Sequence, residues 1–232
     1  MKWRVLGLFL VLGLLVYLPS LAGPFQFDDK RVVLDAKVRE NPKAWSYGGV
    51  WGTRGLAHAS FWVDWRLWGE KPVMYHVENV IIHVFASWLV FVLIRQLLAL
   101  SSPRGSRQAT PPRWPEGLLG GEMGFWLAVF GGLVFLLHPV QTQAVAYISQ
   151  RFESMSAMFY LAAVVLYLKA RLTHLGGVHS ATIRGAIYYV MSWLSGLAAM
   201  SSKEIAITLP VMLVGLEWLV IRPTSLKLRG VK

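Results

Sequence analysis

The chain has 232 residues, of which 55% are hydrophobic and 15% are charged, and it contains 11 Trp and no Cys. This composition is too apolar for an ordinary soluble domain, and the absence of Cys excludes disulfides and thiolate metal sites. The net charge of +11 would suit a nucleic-acid partner, but its distribution along the chain gives it a different meaning.

Apolar runs recur along the chain with lengths close to the roughly 20 residues that a helix needs to cross hydrocarbon. The sequence predicts an all-α membrane protein with about six transmembrane helices, at residues 5–23, 77–98, 122–138, 153–171, 186–202 and 205–222. The predicted domains are a first transmembrane helix, an extracytoplasmic loop, a five-helix membrane bundle and a basic cytoplasmic tail, at residues 1–23, 24–76, 77–222 and 223–232. Because Lys2 and Arg4 precede the first apolar run, a cleaved secretory signal peptide is the alternative there.

Basic residues are unevenly distributed between the two sides of this predicted topology. With the N-terminus in the cytoplasm, the inner segments carry 13 basic and three acidic residues, and the outer segments carry 10 basic and nine acidic residues. A basic excess in short cytoplasmic loops is the asymmetry that orients membrane proteins. We therefore predict a multi-pass protein of the inner (cytoplasmic) membrane with both termini in the cytoplasm. Its partner is then the lipid bilayer and not nucleic acid.

The first outer loop begins with two adjacent carboxylates, Asp28 and Asp29, a few residues beyond the first apolar run. Acids just outside a membrane are candidates for proton transfer, although acidic doublets also occur in ordinary solvated loops. The rest of this loop is rich in tryptophan, at Trp45, Trp51, Trp62, Trp65 and Trp68. This pattern favours interfacial helices along the outer membrane surface, and a small ectodomain with an aromatic core is the alternative.

Polar residues enter the second span on one helical face. His76, Asn79 and His83 follow the spacing i, i+3, i+7, so this face should turn toward protein or a wet cavity and not toward lipid. The sequence leaves open whether these side chains join neighbouring helices or line a site. A metal site is not expected, because no Asp or Glu lies close on the same face.

Two further outer turns carry polar and charged groups. His138 and Gln143 follow the third span and lead to Arg151, while Lys203 and Glu204 lie between the fifth and sixth spans. Taken singly, the cations could reach lipid headgroups and Glu204 could interact with a helix dipole. Taken together with the acidic doublet, three loops deliver acids and cations to one membrane face. That combination suits transfer from an anionic lipid, with a carboxylate accepting a proton and the cations holding a phosphate.

The chain resembles, in collinear order, the N-terminal membrane part of the transmembrane and tetratricopeptide-repeat O-mannosyltransferases, in their bacterial-like variant. The matching segments are Phe27-Asp28-Asp29, Arg54, Leu67-Trp68-Gly69, Tyr75-His76 with Asn79 and His83, His138 to Val145, Tyr147 to Arg151, and Ser202-Lys203-Glu204. The resemblance implies a GT-C-like fold and transfer of a sugar from a polyprenyl-phosphate donor to a hydroxyl acceptor, such as protein Ser or Thr, on the extracytoplasmic face.

The resemblance also implies roles for individual residues. Asp28 would be the catalytic base, with Asp29 the second candidate. The residues implied to bind substrate are Arg54, His76, Asn79, His83, His138, Gln143, Arg151, Lys203 and Glu204. No metal or cofactor is required, although a divalent cation could bind at the doublet.

The chain departs from this family at several points. Gly55 stands where the animal enzymes have Pro, and Gln143 stands where they have Glu, which removes the carboxylate that an acid role there would need. The sequence has fewer spans than usual for GT-C enzymes and no tetratricopeptide period. A second hypothesis is therefore a noncatalytic or split membrane subunit that needs a partner chain or repeat protein. A small transporter is a third, with less support because the spans show no inverted repeat.

Overall fold

The computed structural model describes residues 2–34, 54–101, 121–175 and 181–222, and these residues contain helices and no strand. The α-helices, numbered in chain order, are α1 (Lys2–Tyr17), α2 (Asp28–Val32), α3 (Gly55–Trp68), α4 (Pro72–Ser101), α5 (Glu122–Leu137), α6 (Thr142–Ala146), α7 (Arg151–Leu175), α8 (Ala181–Ser202) and α9 (Leu209–Leu216). Short 3₁₀ helices lie at Leu18–Ala22, Pro139–Gln141, Ile148–Gln150 and Glu204–Thr208, and a π-helical turn at Glu217–Ile221 follows α9. The prediction of an all-α membrane protein is confirmed.

Four helical stretches among the described residues are long and apolar enough to cross a membrane: Lys2–Ala22, Pro72–Leu100, Ile148–Thr173 and Glu204–Ile221. A fifth candidate combines Glu122–Leu137 with Pro139–Ala146, which are bent by 45°. The predicted span at 186–202 lies within α8, where Ser, Gly and Tyr lower the hydropathy below that of a clear span. The count of six is therefore not confirmed.

The bend after α5 has a local cause in the sequence. Pro139 follows His138, and a residue before proline is pushed out of helical conformation. His138 accordingly has φ −63° and ψ 129°, and α5 ends at Leu137. The chain then runs through short helical turns that stay at this end of the bundle until α7 begins.

The helices pack around α4 and α7. α4 lies against α1, α5 and α7, and α7 pairs along much of its length with α8. Gly132 of α5 allows close contact, because a Cβ there would lie only 2.7 Å from the ring of Phe9 in α1. Small residues at such crossings are typical of membrane helix pairs, whose association depends on close packing.

A second apolar cluster covers the end of the bundle where α7 begins. It joins α2 and α3 to the membrane helices through buried side chains that include Val33, Phe61, Tyr75, Ile148 and Phe152. α3 carries Trp62, Trp65 and Trp68, as the interfacial prediction required, but its position relative to a membrane surface stays a prediction. Trp45 and Trp51 and the predicted tail at 223–232 lie outside the described residues.

Candidate functional site

The acidic doublet opens α2 and docks on the segment that precedes α7. Asp29 is 1% exposed, and its carboxylate accepts the backbone N–H of Ser149 at 2.7 Å and that of Gln26 at 3.0 Å. One carboxylate oxygen therefore joins the first outer loop to the second, and the other closes a turn within the first loop. Asp29 fixes the geometry of the doublet, and its buried, bonded carboxylate is poorly placed to accept a proton from a substrate.

Asp28 differs from its neighbour. Its backbone N–H donates to the hydroxyl of Tyr147 at 2.9 Å, while its side chain is exposed and its carboxylate has no partner within the described part of the chain. The preceding residue, Phe27, has φ 41° and ψ −115° and is 82% exposed. Strained backbone of this kind costs about 1–3 kcal/mol and persists where the surroundings enforce it. The main chain thus holds Asp28 in place, and its exposed carboxylate is not used in any contact with the described residues.

A cavity of about 830 Å³ lies beside the doublet, and we call it the doublet cavity. Phe27 and Asp29, the neighbours of Asp28 on either side, both line it. Its polar lining residues are Ser20, Gln26, Asp29, His76, Thr142, Gln143 and Tyr147. The volume lies within the range of ordinary ligand pockets.

The polar face of α4 serves different purposes at its three positions. Asn79 donates to the carbonyl of Ile148 at 3.2 Å, and His83 Nε2 lies 3.1 Å from the carbonyl of Leu136 at the end of α5. His76 Nε2 lies 3.0 Å from the carbonyl of Gly23, and the same ring lines the doublet cavity. All three residues join structural elements, and among them only His76 also borders the doublet cavity.

Arg151, the first residue of α7, is fully buried. Its guanidinium forms an ion pair with Asp64, lies 3.3 Å from Glu78 Oε2, donates to Asn79 Oδ1 at 2.8 Å and donates to the carbonyl of Tyr75 at 3.2 Å. These partners occupy its donors, so this placement does not support direct contact between Arg151 and a lipid phosphate. Burial raises the pKa of Asp64 to about 7, although the charge of Arg151 acts in the opposite direction.

The sequence interpretation missed both acids of this cluster. Asp64 lies on the same face of α3 as the buried residues Ala57 and Phe61, at the spacing i, i+4, i+7. An acid on a buried face needs a cationic partner, so this pattern is a signal that could have pointed to a buried Arg. Glu78 carries no such signal, because it stands beside polar residues at the start of a long helix.

The two other cations predicted for the site are partly exposed. Arg54 Nε lies 3.3 Å from Glu204 Oε1, and the two side chains are 42% and 49% exposed. Lys203 forms an ion pair with Glu153, with side chains 25% and 39% exposed. These pairs join the first outer loop to the third and the second to the third. Together with the bond between Asp29 and Ser149, they bring the three predicted loops to one end of the bundle, the polar end.

His138 and Gln143 are both exposed. His138 Nδ1 accepts the backbone N–H of Val140 at 3.2 Å and so caps the 3₁₀ helix that follows, whereas Gln143 lines the doublet cavity. His138 borders none of the cavities described here. Within the described ranges, no group of three or more His, Asp or Glu side chains could hold a metal ion.

Two smaller cavities of about 330 and 320 Å³ lie between α5 and α7. Both are bordered by Phe135, Glu153 and Ala157, so together they form what we call the α5–α7 groove. From Glu153 at the polar end to Leu161, the groove follows nine residues of α7, or about 12 Å of helix. The groove has a charged upper end, where Glu153 pairs with Lys203, and a largely apolar lower part.

Comparison with known proteins identifies relatives of this chain among protein O-mannosyl-transferases. The chain is 30% identical over 211 residues to Protein O-mannosyl-transferase Tmtc1 of Drosophila melanogaster, across 85% of this chain and 21% of that protein. It is 30% identical over 209 residues to TMTC4 of Homo sapiens, across 82% of this chain and 26% of that protein. For TMTC2 of Homo sapiens the identity is 28% over 172 residues, or 68% and 18% of the two chains. The chain thus spans between 18% and 26% of the length of these relatives, and no protein-family model or solved structure matches it.

Proposed function

Because this chain is related to the transmembrane and tetratricopeptide-repeat protein O-mannosyl-transferases, we propose that it forms the catalytic membrane part of a glycosyltransferase. The proposed reaction moves a sugar from a polyprenyl-phosphate donor to a hydroxyl acceptor. The observation that carries the proposal is Asp28, an exposed acid whose carboxylate has no partner among the described residues and whose two chain neighbours line the doublet cavity, at the end of the bundle where paired cations also lie.

Asp28 is the proposed base. Its carboxylate takes the proton of the acceptor hydroxyl while the hydroxyl oxygen forms a bond to the anomeric carbon of the sugar. The bond between that carbon and the phosphate oxygen breaks, and the phosphate leaves with the electron pair, so the anomeric configuration inverts. Asp29 does not take part in the proton transfer and holds the backbone around the base.

Arg54 and Lys203 are the proposed ligands of the donor phosphate. Each is paired with a carboxylate in a partly exposed position, and exposed ion pairs contribute only about 0–1 kcal/mol. The donor phosphate is a diester with one negative charge, like a carboxylate, and it gains a second charge as it leaves, so its exchange with Glu204 or Glu153 becomes more favourable as the reaction proceeds. Arg151 is assigned a structural role in this proposal, because its donors already have buried protein partners.

The hydrocarbon chain of the donor would lie in the α5–α7 groove. The lower part of the groove is formed by Tyr160 and Leu161 of a candidate membrane span, and its upper end lies beside Lys203. A lipid in this position has its chain among apolar side chains and its phosphate at the polar end. By the charge asymmetry of the loops, the proposed active face is extracytoplasmic.

The decisive experiment measures sugar transfer from a polyprenyl-phosphate mannose to a Ser/Thr peptide by the purified, reconstituted chain. Asp28→Asn should abolish transfer and leave membrane expression and thermal stability unchanged, because the carboxylate has no structural partner among the described residues. Glu70→Gln is the matched control, since Glu70 is an exposed acid in the same outer region that borders no described cavity. Turnover retained by Asp28→Asn would reject the assignment of the base.

A noncatalytic or split subunit is the second candidate. It is favoured by the apolar exposure of the last span, where Val211 is 75% exposed and Leu219 is 80% exposed. Under this hypothesis the purified chain neither binds polyprenyl phosphate nor transfers sugar until a partner chain is added. Donor binding by the chain alone would exclude a purely noncatalytic role.

A further inference from the structure

A buried cluster of one cation and two acids lies behind the doublet cavity and borders none of it. Asp64 of α3, Glu78 of α4 and Arg151 of α7 meet there, with side chains 5%, 30% and 0% exposed. The ring of Phe61 lies 4.5 Å from the guanidinium carbon of Arg151, and Trp68 Nε1 donates to Glu78 Oε1 at 2.9 Å. Three helices are thus held together by one guanidinium.

The side chain of Asn79 connects this cluster to the segment on which the doublet docks, in addition to the chain itself, since Arg151 follows Ser149 by two residues. Its Oδ1 accepts from Arg151 Nε at 2.8 Å, and its Nδ2 lies 3.4, 3.4 and 3.2 Å from the carbonyls of Val145, Tyr147 and Ile148. The amide of Asn79 is therefore oriented by Arg151 on one side and by the backbone of residues 145–148 on the other.

The segment that Asn79 holds is the one on which the doublet docks. The Tyr147 hydroxyl accepts the backbone N–H of Asp28, and the Ser149 N–H donates to Asp29. A continuous series of contacts therefore runs from Asp64 and Glu78 through Arg151 and Asn79 to the proposed base. Buried networks whose members all have partners are rigid, and removal of either acid takes away one of the two carboxylates that orient the guanidinium of Arg151.

We propose that Asp64 and Glu78 are positioning residues, which fix residues 145–149 through Arg151 and Asn79 and thereby set the place of Asp28. The geometric part of this inference is independent of the chemistry, and only its effect on turnover rests on the proposed function. Because a misplacement of about 1 Å can cost roughly 100-fold in rate, loss of this network should lower kcat by about that factor. The KM for the donor should change little, since Arg54 and Lys203 pair with Glu204 and Glu153 and not with the acids of the cluster.

The test uses the absence of cysteine in the chain, which permits spin labels at chosen sites without a background. Cysteines introduced at Lys30 of α2 and at Ile207, both exposed, report the distance between the doublet and the last span. Asp64→Asn should broaden the measured distance distribution, and Asn79→Leu should broaden it similarly. The matched control is Glu217→Gln, which removes the acid of the ion pair between Arg171 and Glu217. Arg171 lies about 30 Å beyond Arg151 along α7.

The outcomes separate the two proposals. An unchanged distance distribution in Asp64→Asn overturns the inference, and so does equal broadening in Glu217→Gln, because the effect is then a general loss of stability. If Asp64→Asn does not fold, two other variants are measured in its place. Glu78→Gln changes a partly exposed position, and Arg151→Lys removes the guanidinium fork. If the distance broadens while Asp28→Asn retains turnover, the network stands and the proposed enzyme fails.

Discussion

Replacement of Asp29 by Asn should destabilise the docking of α2, whereas the same replacement at Asp28 should not. The Asp29 carboxylate is 1% exposed and accepts two backbone N–H groups, those of Ser149 and Gln26. An Asn side chain offers one acceptor oxygen, so one of the two N–H groups then faces an NH₂ group and loses its partner.

The size of the effect follows from these two contacts. A hydrogen bond to a charged group contributes about 1.5–3 kcal/mol, and a buried N–H without a partner costs about 1–3 kcal/mol. Since one bond is lost and the other becomes neutral, we expect Asp29→Asn to weaken docking by about 2–4 kcal/mol. This corresponds to a shift of roughly 30- to 700-fold in the docking equilibrium.

Hydrogen exchange of the amides of α2, together with thermal unfolding, measures this loss. Asp29→Asn should accelerate exchange in α2 and lower the unfolding temperature, and turnover should fall as a consequence. Asp28→Asn should leave exchange and unfolding unchanged and still abolish transfer. Exchange in Asp29→Asn that matches the wild type, or equal destabilisation in Asp28→Asn, would refute the division of labour between the two acids.

Three further outcomes are expected. Ala157→Trp should fill the α5–α7 groove and suppress transfer from long-chain donors more than transfer from a short, water-soluble prenyl donor. The control Leu219→Trp, on an exposed face, should not change the ratio of the two rates. Lys203→Ala should raise the donor KM by roughly 10- to 100-fold, because it removes a charge-assisted contact and leaves Glu153 to repel the phosphate. An unchanged KM would contradict the assignment of Lys203. Burial raises the pKa of Asp64 to about 7 from 3.8, so the folded protein binds this proton more tightly and the free energy of unfolding should fall as the pH rises from about 4 to about 7. Unfolding measured across this range should show a shallower slope in Asp64→Asn, and equal slopes would contradict the assignment.

The ends of the apolar helices were predictable where hydropathy alone decides them. The predicted spans 122–138 and 205–222 correspond closely to Glu122–Leu137 and Glu204–Ile221. The second span was predicted to begin at residue 77, but α4 begins at Pro72, a residue favoured in the first helical turn. Because the first turns of α4 contain polar residues, a criterion based on apolar length does not detect them.

The candidate site was predictable as a set of loops and not as a set of contacts. Sequence order placed Asp28, Arg54 and Lys203 in outer loops, and the structure brings those loops to one end of the bundle. Sequence order could not show that the two acids differ in burial and bonding, because this difference depends on the backbone geometry at Phe27. Nor could it show that Arg151 points inward, since its acidic partners come from helices far apart in the chain.

The hydrogen bond between Asp29 and Ser149 joins residues 120 positions apart, and the pair between Arg54 and Glu204 spans 150. During synthesis the N-terminal portion of the chain emerges first, long before these later partners exist. The acidic pair can therefore acquire its final arrangement only after the segment that precedes α7 has been made. The ion pair of Arg54 forms later still, because Glu204 follows α8 in the chain.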